Sequence, residues 1–399
     1  MISNPNVWLE RAVLLLAILG FAAVLFVFTV YLLYFILIYR NHRNVSNYLH
    51  KIEASQKFDF LPSISVIINT YNEAKIIRRK IEDISRLEYP REKLEVFVID
   101  DCSSDGTGDV AEKALADFKI SGKVIRNACR LGLNESMNLA FSSVSNDVVC
   151  VTDSDVMLDK NALKIAVAVL ENFEGAGGVT GKIVPIYRER GIATISEDSY
   201  RFFYDHCMLS ESSVHSAFPG NGPLMVFKKS LVSSIPADYG STDANIAMRI
   251  VKSGRRFLYV PEALIYEPVP ERISQQRLQK VRRARRLIQV FLHNIDVFGN
   301  RQYGKFGTVI FPLKFLMHVA CPLLMFLGLS FAFLGVVLLD VLALKFALLI
   351  LVSFTMGVLM FSRRIRAFFI SFVLHQAYLL IGLLSSFKKS VYWKTIERR

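Results

Sequence analysis

The residues best suited to chemistry are two carboxylates one position apart, Asp153-Ser-Asp155, at the end of the apolar run Val148 to Val151. Alternate residues of a strand point the same way, so Asp153 and Asp155 can offer two carboxylates to one cation. Hard oxygen donors at the carboxyl end of a strand suit Mg²⁺ or Mn²⁺ carrying a diphosphate. A solvated loop is the other reading of the same three residues. They lie in a soluble-looking segment with membrane-length apolar runs on both sides. That setting points to chemistry on a nucleotide-activated substrate at the edge of a membrane.

Two further polar clusters follow apolar runs: Thr70-Tyr71-Asn72-Glu73 after residues 64–68, and Asp100-Asp101 after residues 94–99. Strand-like runs also cover 123–126, 147–151 and 178–180, and helix-like stretches such as 73–87, 109–118 and 134–141 lie between the runs. The alternation, from residue 64 to about 266, predicts a mostly parallel sheet with helices on both faces. Such sheets bind ligands beyond the carboxyl ends of their strands. Asn72 and Glu73 can also be read as a helix cap with a first-turn acid, and Asp100 to Thr107 as a turn feeding a helix. Three acidic or amide clusters after three strands, however, converge on one sheet edge. Carboxylates gathered there repel one another unless a cation or a hydroxyl-rich ligand uses them. No Walker sequence and no Gly-x-Gly-x-x-Gly follows a strand, so a metal has to carry the diphosphate.

The elements that position these residues are anchored in apolar helices. Of 399 residues, 52% are hydrophobic and the formal charge is +13. The positive excess suits anionic lipid heads and phosphates. No nucleic-acid module motif is present, so nucleic acid is not an expected partner. Five cysteines without framework spacing point to a reducing compartment. Apolar runs at 13–39, 315–339, 341–361 and 367–387 each reach spanning length. The first is too long for a cleaved signal, and Arg40 to Arg43 after it place the next domain on the cytoplasmic side. Asp340 is read as a tight turn between the second and third runs. The fourth run carries His375, Gln376, Ser385 and Ser386, with a basic tail beyond, so it is read as either a span or an interfacial helix.

Taken in order and spacing, Ser65-Val-Ile-Ile-Asn-Thr-Tyr-Asn-Glu73, Val98-Ile-Asp-Asp-Cys-Ser-Ser-Asp-Gly-Thr107 and Asp153-Ser-Asp155 resemble the inverting nucleotide-sugar transferases of glycosyltransferase family 2, in the membrane-bound, cellulose-synthase-like branch. The resemblance covers residues 63–290. It implies an α/β GT-A fold, Rossmann-like with a mostly parallel sheet, in a cytoplasmic domain joined to α-helical transmembrane segments. It implies that Thr70, Tyr71, Glu73, Asp101 and Asp153 bind the nucleotide sugar, and that Asp153 and Asp155 hold Mn²⁺ or Mg²⁺. Arg130-Leu-Gly-Leu133 to Asn138 looks like the family's Gly-Lys…Asn segment, with Leu133 where a lysine is usual.

Pro219-Gly220-Asn221-Gly222 looks like the family's acceptor loop, and Ser241-Thr242-Asp243 stands where the family has Thr-Glu-Asp. On residue type alone, any of Ser241, Thr242 or Asp243 would cap the helix that follows. The resemblance makes Asp243 the general base and puts Thr242 beside the acceptor. In Gln275 to Arg286 the resemblance gives Gln279 and Arg282 to the diphosphate, while Arg283 replaces the family's tryptophan. Arg283 and Arg286 are expected to grip a lipid phosphate; a basic amphipathic helix on anionic lipid is the alternative.

The expectation is a metal-dependent inverting glycosyltransferase at the cytoplasmic face of the cell membrane. It would move a hexose from a nucleotide sugar, GDP-mannose first and a UDP-hexose second, to a polyprenyl or dolichyl phosphate or a lipid-linked glycan. A processive polysaccharide synthase using a UDP-sugar is the alternative, and a catalytically silent membrane scaffold the reading from another class. The expected organisation is a transmembrane helix and linker over 1–62, the transferase domain over 63–270, basic interfacial helices over 271–310, and transmembrane helices with a basic tail over 311–399.

Overall fold

The computed structural model describes residues 5–187, 192–269, 273–339 and 363–387. Eight strands form one sheet: β1 (Ile64–Thr70), β2 (Leu94–Asp100), β3 (Gly122–Arg126), β4 (Val148–Asp153), β5 (Met157–Leu158), β6 (Ala176–Ile186), β7 (Met225–Lys228) and β8 (Arg256–Pro268), in the order β3-β2-β1-β4-β7-β6-β8-β5. β3, β2, β1 and β4 are mutually parallel, as are β6 and β8; β7 runs antiparallel between β4 and β6, and β5 antiparallel on β8. β1, β2 and β4 are near-continuous apolar runs because helices cover both faces. The chain passes from β1 to one side to make β2 and returns to the other side for β4. Asn69 of β1 then lies in register with Asp153 of β4, at the switch point where such sheets open a crevice.

One face of the sheet is covered by α2 (His42–Ser55), α3 (Ala74–Ser85), α4 (Thr107–Asp117) and α6 (Ala162–Asn172), around Ile52, Ile81, Ala114 and Val167. On the other lie α5 (Leu133–Ser143), α8 (Thr242–Lys252) and α9 (Ile273–His293), with Met137, Phe141, Ile246 and Phe291 in their core. The five expected strands and the helices near 73–87, 109–118 and 134–141 all form. β5, β7, β8 and the helices α2, α6 and α7 (Ile192–Val214) had no counterpart in the sequence reading. Residues 225–228 carry only four strand positions, and residues 42–55 have mixed polarity resembling a linker.

Among the described residues, three helices are long and apolar enough to cross a membrane: α1 (Pro5–Arg40), α10 (Phe306–Leu338, with π-turns at Phe306–Ile310 and Leu316–Ala320) and α11 (Arg363–Ser386). α1 and α10 meet along small residues. A Cβ at Gly20 would fall 2.3 Å from the Ala332 nitrogen, and one at Gly335 would fall 2.5 Å from the Ala17 Cβ. Small residues give this closeness in membranes, where dispersion between helices replaces the hydrophobic drive. The expected span at 341–361, the turn at Asp340 and the basic tail at 388–399 lie outside the described residues. The ambiguous fourth run is one continuous helix whose polar residues are its grips: Gln376 is buried and donates to the Tyr31 hydroxyl of α1, and the Ser386 carbonyl accepts from Gln289 Nε2 of α9 at 2.9 Å.

The membrane helices share their packing with the sheet domain. Phe306, Ile310 and Phe311 of α10 pack with Phe218 and Phe291 in the core beneath the sheet. A buried polar junction reinforces this seam. Glu211 of α7 (0% exposed) accepts from the Tyr34 hydroxyl of α1, from Lys314 of α10 (4% exposed) at 2.7 Å, and from the Phe218 N–H at 3.0 Å. Lys314 also donates to the Phe218 carbonyl.

Removing one partner of such a pair leaves an uncompensated buried charge. Glu211→Ala is therefore expected to destabilise the protein by about 3–5 kcal/mol. The double variant Glu211→Leu/Lys314→Met removes both charges and should melt much nearer to the unmodified protein. Thermal unfolding in detergent measures both.

Candidate active site

A cavity of about 2700 Å³ starts at the carboxyl edge of β1 and β4 and runs between α1, α7, α9, α10 and α11. On one wall stand Glu73, Asp153 and Asp155. The loop Gly220-Asn221-Gly222 and the residues Thr242 and Asp243 form another wall, and Gln279, Arg282, Arg283 and Arg286 of α9 face them. Thr70, Tyr71 and Asp101 are not among its lining residues.

These last three sit just behind the wall. Thr70 is buried and its hydroxyl donates to the Ile99 carbonyl at 3.4 Å. The Tyr71 ring lies under the Arg130 guanidinium, 3.7 Å from the ring centre. Asp101 is 2% exposed, and four donors use its carboxylate: the N–H groups of Leu131 (2.7 Å) and Gly132 (3.0 Å), Asn127 Nδ2 (3.0 Å) and the Ser136 hydroxyl (3.2 Å). Those bonds fix the turn that leads into α5. Leu133, in the place of a usual lysine, opens that helix and faces the cavity.

The paired carboxylates differ from expectation in one respect. β4 ends at Asp153, and Asp155 lies in the turn that follows, so strand alternation does not align them. The turn aligns them instead. Ser154 between them is buried and donates to Glu73, which leaves Asp153 and Asp155 on the cavity wall. Lys80, fully buried, braces the turn from beneath: its ammonium donates to the Thr152 hydroxyl at 2.9 Å and the Val156 carbonyl at 3.1 Å. Burial draws the Lys80 amine down to about 8.

No group of three or more His, Cys, Asp or Glu side chains that could hold a metal occurs among the described residues. Two carboxylates suit a cation that completes its shell with phosphate oxygens and water, as Mg²⁺ does, rather than one caged by protein. Among the described residues Arg282 has no hydrogen bond or ion pair within the protein. Burial and the neighbouring Arg283 and Arg286 lower its pKa, with Asp153 acting in the opposite direction. A crowded, half-buried guanidinium facing a carboxylate edge is arranged to receive an anion. Gln279, one turn before it, is buried against the same space.

Arg283 and Arg286 are not free in the same way. Arg283 bonds Glu267 at 3.3 Å, and Arg286 donates to the Gly240 carbonyl at 2.8 Å. The helix that carries them lines the cavity and packs along α11, where Gly382 lets the backbones approach: a Cβ there would lie 2.9 Å from the Arg285 nitrogen.

Asp243 occupies the first turn of α8, where an acid suits the helix dipole, with Ser241 as N-cap in extended backbone. Its Oδ1 accepts from the Ala244 N–H at 2.8 Å. Asp243 is partly buried and lines the cavity. That burial raises its pKa above the usual carboxylate range, against the Ser241 hydroxyl and the Arg283 charge. Gly222 lies directly before it: a Cβ there would sit 3.9 Å from Asp243 Oδ2. At Gly220 a Cβ would meet the Phe257 ring at 2.8 Å, so glycine is required by space. Asn221 is held by its N–H on the Thr180 hydroxyl (2.9 Å) and its Nδ2 on the Gly181 carbonyl (2.7 Å). Thr242 donates to Asn134 Oδ1 at 2.8 Å, and Asn134 Nδ2 meets the carbonyls of Pro236, Tyr239 and Gly240 at 2.8–3.2 Å.

Several residues of the site had not been picked out in the sequence. Tyr200 and Tyr204 of α7 and Lys314 of α10 line the cavity. A lone lysine within an apolar, membrane-length helix is a signal for Lys314. α7 has mixed composition and gave none.

Residues 65–229 match the model of glycosyl transferase family 2, and residues 148–384 that of glycosyl transferase family group 2. The chain is 27% identical over 234 residues to the probable glycosyltransferase YdaM of Bacillus subtilis (strain 168), covering 56% of this chain and 55% of that protein. It is 25% identical over 264 residues to the poly-beta-1,6-N-acetyl-D-glucosamine synthase of Staphylococcus aureus (strain COL), covering 65% and 61%. It thus spans 55–61% of the length of these curated relatives. Among solved structures, the mannosyltransferase PcManGT of Pyrobaculum calidifontis, in complex with GDP-Man and Mn²⁺, superposes with a TM-score of 0.68 over 90% of this chain and 98% of that one. At 24% identity that likeness shows the fold, a GT-A-like arrangement of sheet and helices.

Asn134 is the clamp between α5 and the loop that presents Asp243. Asn134→Ala leaves three carbonyls and the Thr242 hydroxyl without their partner, an expected loss of about 1–3 kcal/mol. Hydrogen exchange should quicken at residues 236–245 while β1 and β2 stay protected.

Proposed function

Because the chain belongs to glycosyl transferase family group 2, matched over residues 148–384, we propose that it is a metal-dependent inverting glycosyltransferase working on a lipid-linked acceptor at the cytoplasmic face of the cell membrane. The observation that carries the reading is the single cavity that joins the Asp153 and Asp155 edge, Asp243 and the membrane helices. One end suits a sugar nucleotide from water, the other a substrate anchored in lipid.

Displacement at the anomeric carbon requires the acceptor oxygen to shed its proton as the new bond forms. Asp243, raised by burial and lining the cavity, accepts it. Gly222 leaves room for the acceptor against that carboxyl. A divalent cation on Asp153 and Asp155 would supply Lewis-acid stabilisation of the leaving diphosphate. Arg282 and Gln279 bind the same diphosphate from α9, and Lys80 keeps the acidic turn in place. The donor proposed first is GDP-mannose, the nucleotide sugar of the Pyrobaculum structure; a UDP-hexose is the second. In a processive synthase an aromatic ring would be expected at the place of Arg283, and here that side chain is tied to Glu267.

A donor panel with purified protein and Mn²⁺ tests the reading through nucleotide release. Asp155→Ala should abolish turnover with an unchanged melting temperature; full activity of that variant in Mn²⁺ would sink the metal assignment. Asp243→Asn should lower the rate with a hydroxyl acceptor by about 10²–10⁴-fold. A base works ionised, so the unmodified enzyme should gain activity as pH rises through the raised pKa of Asp243. The acid limb should lie above the ordinary aspartate value of about 3.9 and be missing from the residual activity of Asp243→Asn.

A further inference from the structure

One wall of the cavity has no role so far: the stretch of α7 between the acceptor loop and the membrane helices. Tyr200 and Tyr204, one turn apart, stack with ring centres 5.8 Å apart and planes 22° from parallel, and both line the cavity. The Tyr204 hydroxyl is 3.5 Å from the Pro219 carbonyl, at the start of the acceptor loop. Tyr200 stands beside His375 of α11, ring centres 6.4 Å apart, and the Lys280 ammonium lies 5.5 Å from its ring centre. The pair therefore bridges from the loop before Asp243 to the membrane helices. Aromatic pairs at this spacing also support a helix simply by packing. The core rings of this protein, however, are closed off: Phe218, Phe257 and Phe291 are fully buried, whereas Tyr200 is 37% exposed and lines the cavity.

The charges around the pair are matched among themselves. Lys280 lies 3.5 Å from Glu197, Arg201 bonds Glu197 at 3.0 Å and Glu267 at 3.1 Å, and Arg283 bonds Glu267 at 3.3 Å. An incoming phosphate would have to compete with two buried carboxylates for these cations. A sugar ring fits better, because its C–H face packs on an aromatic surface while its hydroxyls reach a polar rim. Asp243 points the same way: a base at the end of this wall is needed only if the attacking oxygen carries a proton.

We propose that Tyr200 and Tyr204 form the subsite for a sugar ring already attached to the acceptor lipid, so that the acceptor is a glycolipid hydroxyl and not a bare lipid phosphate. The proposal rests on the transferase reading above. In the step it implies, the glycolipid oxygen bonds to the anomeric carbon, its proton passes to Asp243, and the nucleoside diphosphate leaves with the electron pair of the broken bond.

The test compares two probes in detergent, a short-chain polyprenyl diphosphate bearing one hexose and a bare short-chain polyprenyl phosphate. The expected result is a higher kcat/KM for the hexose-bearing lipid. Tyr200→Leu, which keeps apolar bulk without a ring, should raise its KM about tenfold, more than it raises the donor KM, and Tyr200→Phe should restore it. Preference for the bare phosphate, an unmoved acceptor KM in Tyr200→Leu, or failure of Tyr200→Phe to recover would each overturn the subsite. If the unmodified protein neither binds nor hydrolyses any sugar nucleotide by calorimetry and nucleotide release, the transferase reading itself falls and takes the subsite with it.

Discussion

The buried carboxylate of Glu211 is the point on which the two halves of this molecule depend. A charge without water must be matched, and its partners come from three distant stretches: Tyr34 on the first apolar helix, Lys314 on the second, and the backbone before the acceptor loop. Satisfying one group therefore fixes two membrane helices relative to the loop that faces Asp243. Hydrophobic packing alone would tolerate sliding along such a seam, since apolar contact has no direction. Hydrogen bonds to a buried ion do not. The phenylalanine cluster of Phe218, Phe291, Phe306 and Phe311 around the junction supplies the bulk of the contact, and the ion supplies its register.

The site is built on the same division of labour. Residues that face the cavity stand on structure made by residues that do not. Asp153 and Asp155 depend on Ser154 turning back to Glu73 and on Lys80 beneath the strand end. Asp243 depends on Asn134, which holds the carbonyls of the preceding loop, and on Arg286, which reaches the Gly240 carbonyl from the other side. Asp101 holds the entry to α5 through the N–H groups of Leu131 and Gly132. Rigid support of this kind is what keeps a carboxyl with a raised pKa aimed at a reacting atom.

How much of this was legible in the sequence follows from how local each signal is. The β1 to β4 half of the sheet announced itself, because buried parallel strands are short continuous apolar runs with polar residues at their ends. The acidic clusters were visible for the same reason. β8 and α7 were not: β8 mixes exposed and buried positions over thirteen residues, and α7 turns different sides to α2 and the sheet, to the membrane helices α1 and α11, and to the cavity. Asp153 and Asp155 both line the cavity, but strand alternation accounts for only one of them, since Asp155 owes its direction to a turn. Arg283 and Arg286 are expected from the sequence to grip a lipid phosphate; they prove to be bonded to Glu267 and Gly240, 16 and 46 residues away. Long-range pairing of charges is where reading by pattern gives out.

The cavity is open to both the sheet edge and the apolar helices, and this changes what concentration means for a substrate. A donor arriving from water meets the site at its bulk molarity. On the proposed reading, an acceptor anchored in a bilayer would meet it at its mole fraction among the surrounding lipids, so added detergent or inert lipid would slow the reaction without any change in the amount of acceptor in the tube. Saturation curves for the two substrates then belong on different axes, one per volume and one per surface.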